Sequence, residues 1–406
     1  MRRSSRLRVI GPVLMTLGAA EAGARLLAPR ARPIDPAPVD LGSYFSPAEI
    51  ERGRAFARPQ IGLALGRAAI EAGALALLAR RRWPRPPGGV SGPVMGGAVT
   101  GAGLSLALTL PPLPLSVLAR RRAIRVGLVT QSWRGWGADL VKSCGIQAAF
   151  TAAAGAAVTS LTRRYPSSWW APAAGGSVLF GTVLAAVAPV VLDPIFNRFT
   201  PLAEGQTRED VLALARTAGV KVGEVYSIDA SRRTTAANAY VTGLGPTKRV
   251  VLFDTLLDRY SRDEVRVVVA HELAHVRGRD VPRGVLFAAL VAPASALAVQ
   301  RLSWRLSSER GTPGALPALG LAAGVVSAPI GLIANRLSRA LERRADAYAL
   351  QLTGATEAFV SFERTIALQN VADLDPPRWV TSLLSTHPST AERIGIALSY
   401  ANQAGR

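Results

Sequence analysis

Several residue types are scarce in this chain. Among 406 residues there is one cysteine, Cys144, with three histidines and three methionines. A single cysteine excludes an internal disulfide framework and any multi-cysteine zinc or iron–sulfur site. Acidic residues number 27 against 48 basic ones, and the only lysines are Lys142, Lys221 and Lys248. Such a preference for arginine over lysine reads as the mark of a GC-rich bacterial genome rather than of a mechanism. The net charge of +21 would suit nucleic acid. We read it instead as arginine flanking membrane spans and facing anionic headgroups, with no nucleic-acid partner.

Apolar residues are abundant, at 49%, and the mean hydropathy is +0.23. They gather in uncharged runs longer than a soluble core helix needs, which excludes a purely soluble globular protein. A helix needs about 20 mainly apolar residues to cross a bilayer, and about seven stretches qualify. Residues 168–192, 91–118 and 313–335 hold no charged side chain, and 143–161 is also uncharged. Residues 284–300 are borderline in length. Residues 9–28 and 60–79 each carry an i,i+4 pair, Glu21 with Arg25 and Arg67 with Glu71, whose partners can neutralise each other. The first span follows Arg2, Arg3, Arg6 and Arg8, as a signal peptide would. No clean small-residue cleavage site precedes the polar stretch, so a retained helix is expected. Basic loops at Arg80–Arg85, Arg120–Arg125 and Arg163–Arg164 fall on both sides of the implied bundle, and barely favour either topology. Trp133, Trp136, Trp169 and Trp170 sit near span ends, as interfacial aromatics do.

From about Arg198 to Asp280 the composition becomes that of a soluble domain. A helix is expected over 205–218, and strands at Val222–Ile228, Asn238–Thr242 and Arg249–Phe253. The last two flank Gly243-Leu244-Gly245-Pro246, a turn-rich stretch that predicts a hairpin. Ser261-Arg262-Asp263-Glu264 is a capping box that starts a helix, and Gly278 is placed to end it. Inside this helix lies His271-Glu272-Leu273-Ala274-His275. Histidines at i,i+4 project from one helix face, so two imidazoles can reach one ion, while Glu272 is able to hold the attacking water.

A catalytic zinc takes three protein ligands and one open position. With no cysteine nearby, a carboxylate should complete the set, and the best candidate is Glu342 in Glu342-Arg343-Arg344-Ala345-Asp346. Asp346, on the same helical face, is placed to accept a hydrogen bond from a ligand imidazole. Two apolar segments separate the motifs, and an even number of crossings returns Glu342 to the side that holds His271 and His275. The residues alone leave a solvated surface glutamate as the other reading of Glu342. His387, in Thr386-His387-Pro388-Ser389, precedes a second capping box formed by Ser389 and Glu392. A helix N-terminus there would suit a developing oxyanion.

These motifs, in this order, resemble the integral-membrane CAAX prenyl endopeptidase family of type 1, a branch of the glutamate-ligand zincins. The likeness also runs through Asp193–Leu202, Ala237–Gly245 and Val251–Leu257. It implies a mainly α fold, a polytopic bundle of about seven spans around a water-filled chamber, closed on its cytoplasmic side by a zincin-like α+β domain with a short β-hairpin. Residues 1–197 would form the membrane domain. Residues 198–406 would form the metallopeptidase domain, interrupted by spans at about 284–301 and 313–335. His271, His275 and Glu342 would bind one Zn2+ and Glu272 would be the catalytic base. Asn238 would hold the substrate backbone, His387 would steady the tetrahedral intermediate, and Arg393 would contact substrate or brace the site. The implied place is a bacterial inner membrane, with a peptide or membrane-associated protein as substrate. Prenylated peptides are not expected in a bacterium, and a chain ending Gln403-Ala404-Gly405-Arg406 is not itself such a substrate. Two alternatives stay open: a membrane quality-control zinc protease, a type with fewer spans, and a scaffold or transporter with a dead zincin domain.

Overall fold

The computed structural model describes residues 2–30, 34–81, 92–243 and 248–404, with side chains from residue 9 onward. The early arginine side chains, most of the Arg80–Arg85 loop and the tip of the expected hairpin lie outside the described residues. The described chain forms fourteen α-helices and one four-stranded sheet.

The first six helices are α1 (Arg2–Leu27), α2 (Pro47–Arg80), α3 (Pro93–Thr109), α4 (Leu113–Arg125), α5 (Trp133–Arg164) and α6 (Trp170–Val191). Further on come α7 (Asp193–Phe196), α8 (Gln206–Thr217), α9 (Asp254–Arg259), α10 (Arg262–Arg277) and α11 (Asp280–Leu306). The last three are α12 (Leu316–Thr353), α13 (Thr356–Gln369) and α14 (Thr390–Ala404). Among the described residues six helices are long and apolar enough to cross a membrane, or seven if the bent pair α3–α4 counts as one span. Leu14, Val99, Leu179, Phe180 and Val190 on these helices are exposed, as lipid-facing residues must be.

The uncharged run 91–118 is not one straight helix: α3 and α4 meet at an angle of 49°. Pro111 and Pro112 fall in the break. Proline has no N–H to donate and disfavours helical backbone in the residue before it, so the hydrogen-bond ladder stops there. The Glu21–Arg25 pair forms at 2.5 Å and gains a third member, Arg336 of α12, 2.6 Å from Glu21. Arg67 instead donates to Ser116 Oγ at 3.5 Å, and no ion pair with Glu71 forms among the described residues.

Around the bundle α11 packs on α12, α12 on α2, α2 on α3 and α4, α3 on α5, α5 on α6 and α6 on α11, so the helices close a ring. α1 lies along α11 and α12, where Ala20 and Ala24 are buried against Phe287, Val291 and Leu337. The tightest seam is α3 against α5. A Cβ added at Gly101 would lie 2.1 Å from the Thr151 carbonyl oxygen, and one at Gly155 would lie 2.2 Å from the Gly97 carbonyl oxygen. Gly97 and Gly101 are a GxxxG pair, and small residues at that spacing let two backbones touch where lipid supplies no hydrophobic drive.

The sheet runs β1 (Phe199–Pro201), β2 (Glu224–Ile228), β4 (Arg249–Phe253), β3 (Ala239–Thr242) in spatial order. β2 and β4 are parallel; β3 pairs antiparallel with β4, Ala239 opposite Leu252, as the expected hairpin requires. β3 is therefore an edge strand. One face of the sheet is covered by α8 and α10: Val225, Val250 and Leu252 meet Val211, Leu214, Val265, Val269 and Leu273 in one core. The expected capping box is present on α10. Glu264 N donates to Ser261 Oγ, and the Glu264 carboxylate accepts from Ser261 N at 2.7 Å. α12 is 38 residues long, about 57 Å at 1.5 Å per residue and nearly twice the hydrocarbon thickness of about 30 Å. One unbroken helix therefore carries a membrane span at its start and Glu342 beyond it.

The α3–α5 seam yields a controlled comparison. Gly101→Ala should lower stability in detergent by about 1–3 kcal/mol, measured by thermal unfolding. Gly103→Ala, on the same helix with nothing within 4 Å of the added carbon, should leave it unchanged or raise it.

Candidate metal centre and active site

α10 and α12 pack side by side and bring their motifs together. His271 and His275 sit one turn apart, with ring centroids 4.8 Å apart and Nε2 atoms 3.1 Å apart. Glu342 Oε2 lies 3.2 Å from His271 Nε2, and Glu342 Oε1 lies 3.6 Å from His275 Nε2. One donor atom from each residue falls within 4.8 Å of the others.

Each imidazole is held from behind. His271 Nδ1 lies 2.9 Å from Asp346 Oδ1, and His275 Nδ1 lies 2.8 Å from Asp280 Oδ2. A carboxylate can only accept, so each Nδ1 carries the proton. Both Nε2 atoms then present lone pairs to each other and to a carboxylate. Glu342 Oε2 is buried with no hydrogen-bond partner. Three acceptors that converge without a donor fit a cation, and two imidazoles with one carboxylate are a zinc donor set. Burial works against a charged His271, yet Asp346 and Glu342 outweigh it and lift its pKa to about 10. A proton on Nε2 and a cation compete for the same lone pair, and the same two carboxylates favour either form of positive charge there.

The carboxylates are themselves anchored. Asp346 is fully buried, and Arg393 of α14 grips it with a two-pronged fork, Nε–Oδ2 2.9 Å and Nη2–Oδ1 2.5 Å. Arg393 Nη1 also lies 2.6 Å from Glu363 Oε1 of α13. Burial pushes Glu363 up to about 7, against the opposing pull of Arg393. Burial disfavours charge on Arg393 too, but Asp346 and Glu363 prevail and raise its pKa. Arg344 Nη2 lies 2.6 Å from Asp280 Oδ2.

A cavity of about 420 Å³ opens beside these groups, lined by Asn238, His271, Glu272, Glu363, His387 and Arg393 among others. Burial raises the pKa of Glu272. His387 is exposed to the cavity, 3.5 Å from Glu342 Oε2, and burial lowers its pKa. Thr386 Oγ1 lies 2.8 Å from His387 Nδ1. The segment ahead of His387 is tied to α12, where Arg339 donates to the carbonyls of Ser382 and Ser385 and Asn335 to that of Leu383. Asn238 is exposed immediately before the edge strand β3, and its Oδ1 accepts from Ala239 N at 2.9 Å.

All eight candidate residues thus lie around one centre. Arg393 lines the cavity, but its guanidinium is engaged by two carboxylates. Three features differ from the sequence reading. Ser389 caps α14 by accepting from Glu392 N, while the Glu392 carboxylate turns to Arg343 instead of completing the box. Gly278 follows the end of α10 with ordinary helical dihedrals, φ −73°, and the left-handed residue is Arg279, φ 56°. The bare Cα of Gly278 lies against the Arg344 guanidinium, and a Cβ there, 2.2 Å from Nη1, would make that group shift. Asp280 and Glu363 were not singled out. Glu363 had a signal, a lone carboxylate on the apolar face of Phe359-Val360-Ser361-Phe362-Glu363; Asp280 had only its place just past the motif helix.

A multi-pass bundle carrying this donor set beside a half-buried glutamate defines a membrane zinc metalloendopeptidase. The chain belongs to peptidase family M48, whose profile matches residues 201–401. The profile "CAAX prenyl protease N-terminal, five membrane helices" matches residues 83–198. The chain is 32% identical over 300 residues to YhfN of Bacillus subtilis, an uncharacterised metalloprotease, covering 72% of this chain and 70% of that one. It is 31% identical over 238 residues to the probable CAAX prenyl protease 1 of Schizosaccharomyces pombe, covering 56% of this chain and 49% of the relative. Its fold is similar to that in the crystal structure of S. mikatae Ste24p, with TM-score 0.74, 20% identity, and 97% and 98% of the two chains covered.

The carboxylates behind the imidazoles set the next expectation. Asp280→Ala and Asp346→Ala should each weaken zinc retention by about 10–100-fold, read by chelator competition on the detergent-solubilised protein. Zinc affinity equal to wild type in both would show that ring orientation does not depend on them.

Proposed function

We propose that the chain hydrolyses peptide bonds at this centre, with His271, His275 and Glu342 holding zinc and Glu272 as general base. The observation that carries the reading is the convergence of two imidazole lone pairs and an unpartnered carboxylate oxygen beside Glu272. Zinc held there supplies Lewis-acid polarisation and makes water acidic near neutral pH. Glu272 takes a proton from the attacking water and passes it to the leaving amine. We assign Thr386 Oγ1–H as the donor to His387 Nδ1, the tautomer that leaves Nε2–H to bond the carbonyl oxygen as charge develops on it. An extended peptide adds to the free edge of β3, with the Asn238 amide NH2 as a donor to its backbone. Of the two roles expected of Arg393, we assign bracing: it fixes Asp346, which fixes the His271 ring.

The division at residue 197/198 into membrane and metallopeptidase parts is part of this proposal. So is the wet chamber inside the ring of helices, which would accommodate Glu21, Arg25 and Arg336. We place the enzyme in a bacterial inner membrane with its site on the cytoplasmic side. The relatives named CAAX prenyl proteases support a membrane-associated peptide as substrate; the proposed chemistry needs only an extended backbone at β3.

Purified protein offered a peptide library, wild type beside variants, tests the reading. Glu272→Gln should retain zinc and lose cleavage, His271→Ala should lose both, and His387→Ala should cut turnover by about a hundredfold or more. Normal cleavage by Glu272→Gln would falsify the mechanism.

A further inference from the structure

A second polar cavity, of about 420 Å³, lies on the far side of α10 and α12 from the peptide site. Arg277, Arg283, Arg343 and Arg344 line it, Gly278 and Pro29 form part of its wall, and none of the described residues lining it is acidic. Only two carboxylates reach these arginines from behind: Asp280 lies 2.6 Å from Arg344 Nη2, and Glu392 pairs with Arg343. Arg277 donates to the Ala218 carbonyl oxygen at 2.9 Å and lies over the Tyr348 ring. Four guanidinium charges against two carboxylates leave an excess of two.

Arg344 is already engaged: Nη2 donates to Asp280 Oδ2 and the Ala274 carbonyl oxygen, and Nη1 is buried against Gly278. Arg283 is the less satisfied of the two. Its Nη1 is buried 3.6 Å from Asp280 Oδ1, too long for a hydrogen bond, and its partly exposed side chain lines the cavity without a hydrogen bond among the described residues. A guanidinium so incompletely paired at a cavity wall is completed by an anion. The setting selects which anion. Arg283 lies in the first turn of α11, a candidate membrane span, and Pro29 follows the end of α1, another. The cavity therefore sits where two spans leave the bilayer, at headgroup level, and basic pockets between spans hold anionic headgroups.

We propose that this cavity binds the phosphate group of an anionic phospholipid, held by the Arg283 fork in the positive field of the other arginines that line it. A lipid bound here touches the same Arg344 that holds Asp280 and, through it, the His275 ring. It joins the annular lipid to the metal centre without entering the peptide cavity.

The test is binding by the full chain in neutral detergent, read by native mass spectrometry, with phosphatidylglycerol, phosphatidylcholine and inorganic phosphate as probes. Phosphatidylglycerol should bind saturably and phosphatidylcholine should not. Arg283→Gln should weaken that binding by about tenfold, the loss for one charge-assisted hydrogen bond. Arg164→Gln, at the opposite end of the bundle on α5, should leave it unchanged. Inorganic phosphate that binds as tightly as the lipid, with the same loss in Arg283→Gln, would keep the phosphate site and identify a free anion as its source. Binding unaltered by Arg283→Gln, equally weakened by Arg164→Gln, or equal for both lipids would overturn the proposal. Arg283→Lys keeps the charge and gives up the fork. It serves as the second variant if the glutamine form does not fold, and unchanged binding in it counts against the proposal.

Discussion

Everything in the catalytic half is arranged around three electron-pair donors that repel one another. Two imidazole nitrogens 3.1 Å apart and the carboxylate of Glu342 have no reason to converge unless a cation sits between them. Holding them there needs force from behind, and the chain supplies it with alternating charge. Asp346 and Asp280 fix the rings, Arg393 and Arg344 fix the aspartates, and Glu363 balances Arg393. Asp346 and Glu363 are buried, Asp280, Arg344 and Arg393 are half-buried, and each is paired, which is the condition under which burial of charge is tolerable. Removing one member leaves its partner uncompensated, so the network is rigid because it is interdependent.

The network also joins parts of the chain that are far apart in sequence. α10 is fixed by the core it shares with the sheet and α8. α12 is fixed by the membrane bundle through α11, α1 and α2. α14 brings Arg393 and, just ahead of it, His387, whose loop hangs from Asn335 and Arg339 of α12. The peptide site is therefore assembled at the meeting of an aqueous core and a membrane bundle, and neither alone presents a complete donor set.

How much of this could be read from the residues depends on the range of the interactions. The histidine motif, the Ser261–Glu264 box, the hairpin pairing and most spans are set by contacts within a few residues, and periodicity records them. The run 91–118 looked continuous because hydropathy is blind to backbone donors, whereas Pro111 and Pro112 decide the break. The i,i+4 rule found Glu21–Arg25 but not the turn of Arg67 toward Ser116, because a second helix, α4, offered a competing acceptor. The same competition, from Arg343, half-dismantled the second capping box. Asp280 lies only five residues from His275, yet its task depends on how α11 leaves α10, which no local pattern encodes. Gly278 was legible as the residue that ends α10, but its contact with the Arg344 guanidinium is tertiary.

The continuity of α12 has a consequence for the timing of activity. The two histidines precede both α11 and α12 in the chain, and they can be in place as soon as the sheet and α10 have folded. Glu342 arrives only at the end of a helix whose first half must already be seated among its membrane neighbours. A chain whose bundle has not closed thus holds an incomplete donor set, and membrane insertion is the step that completes it.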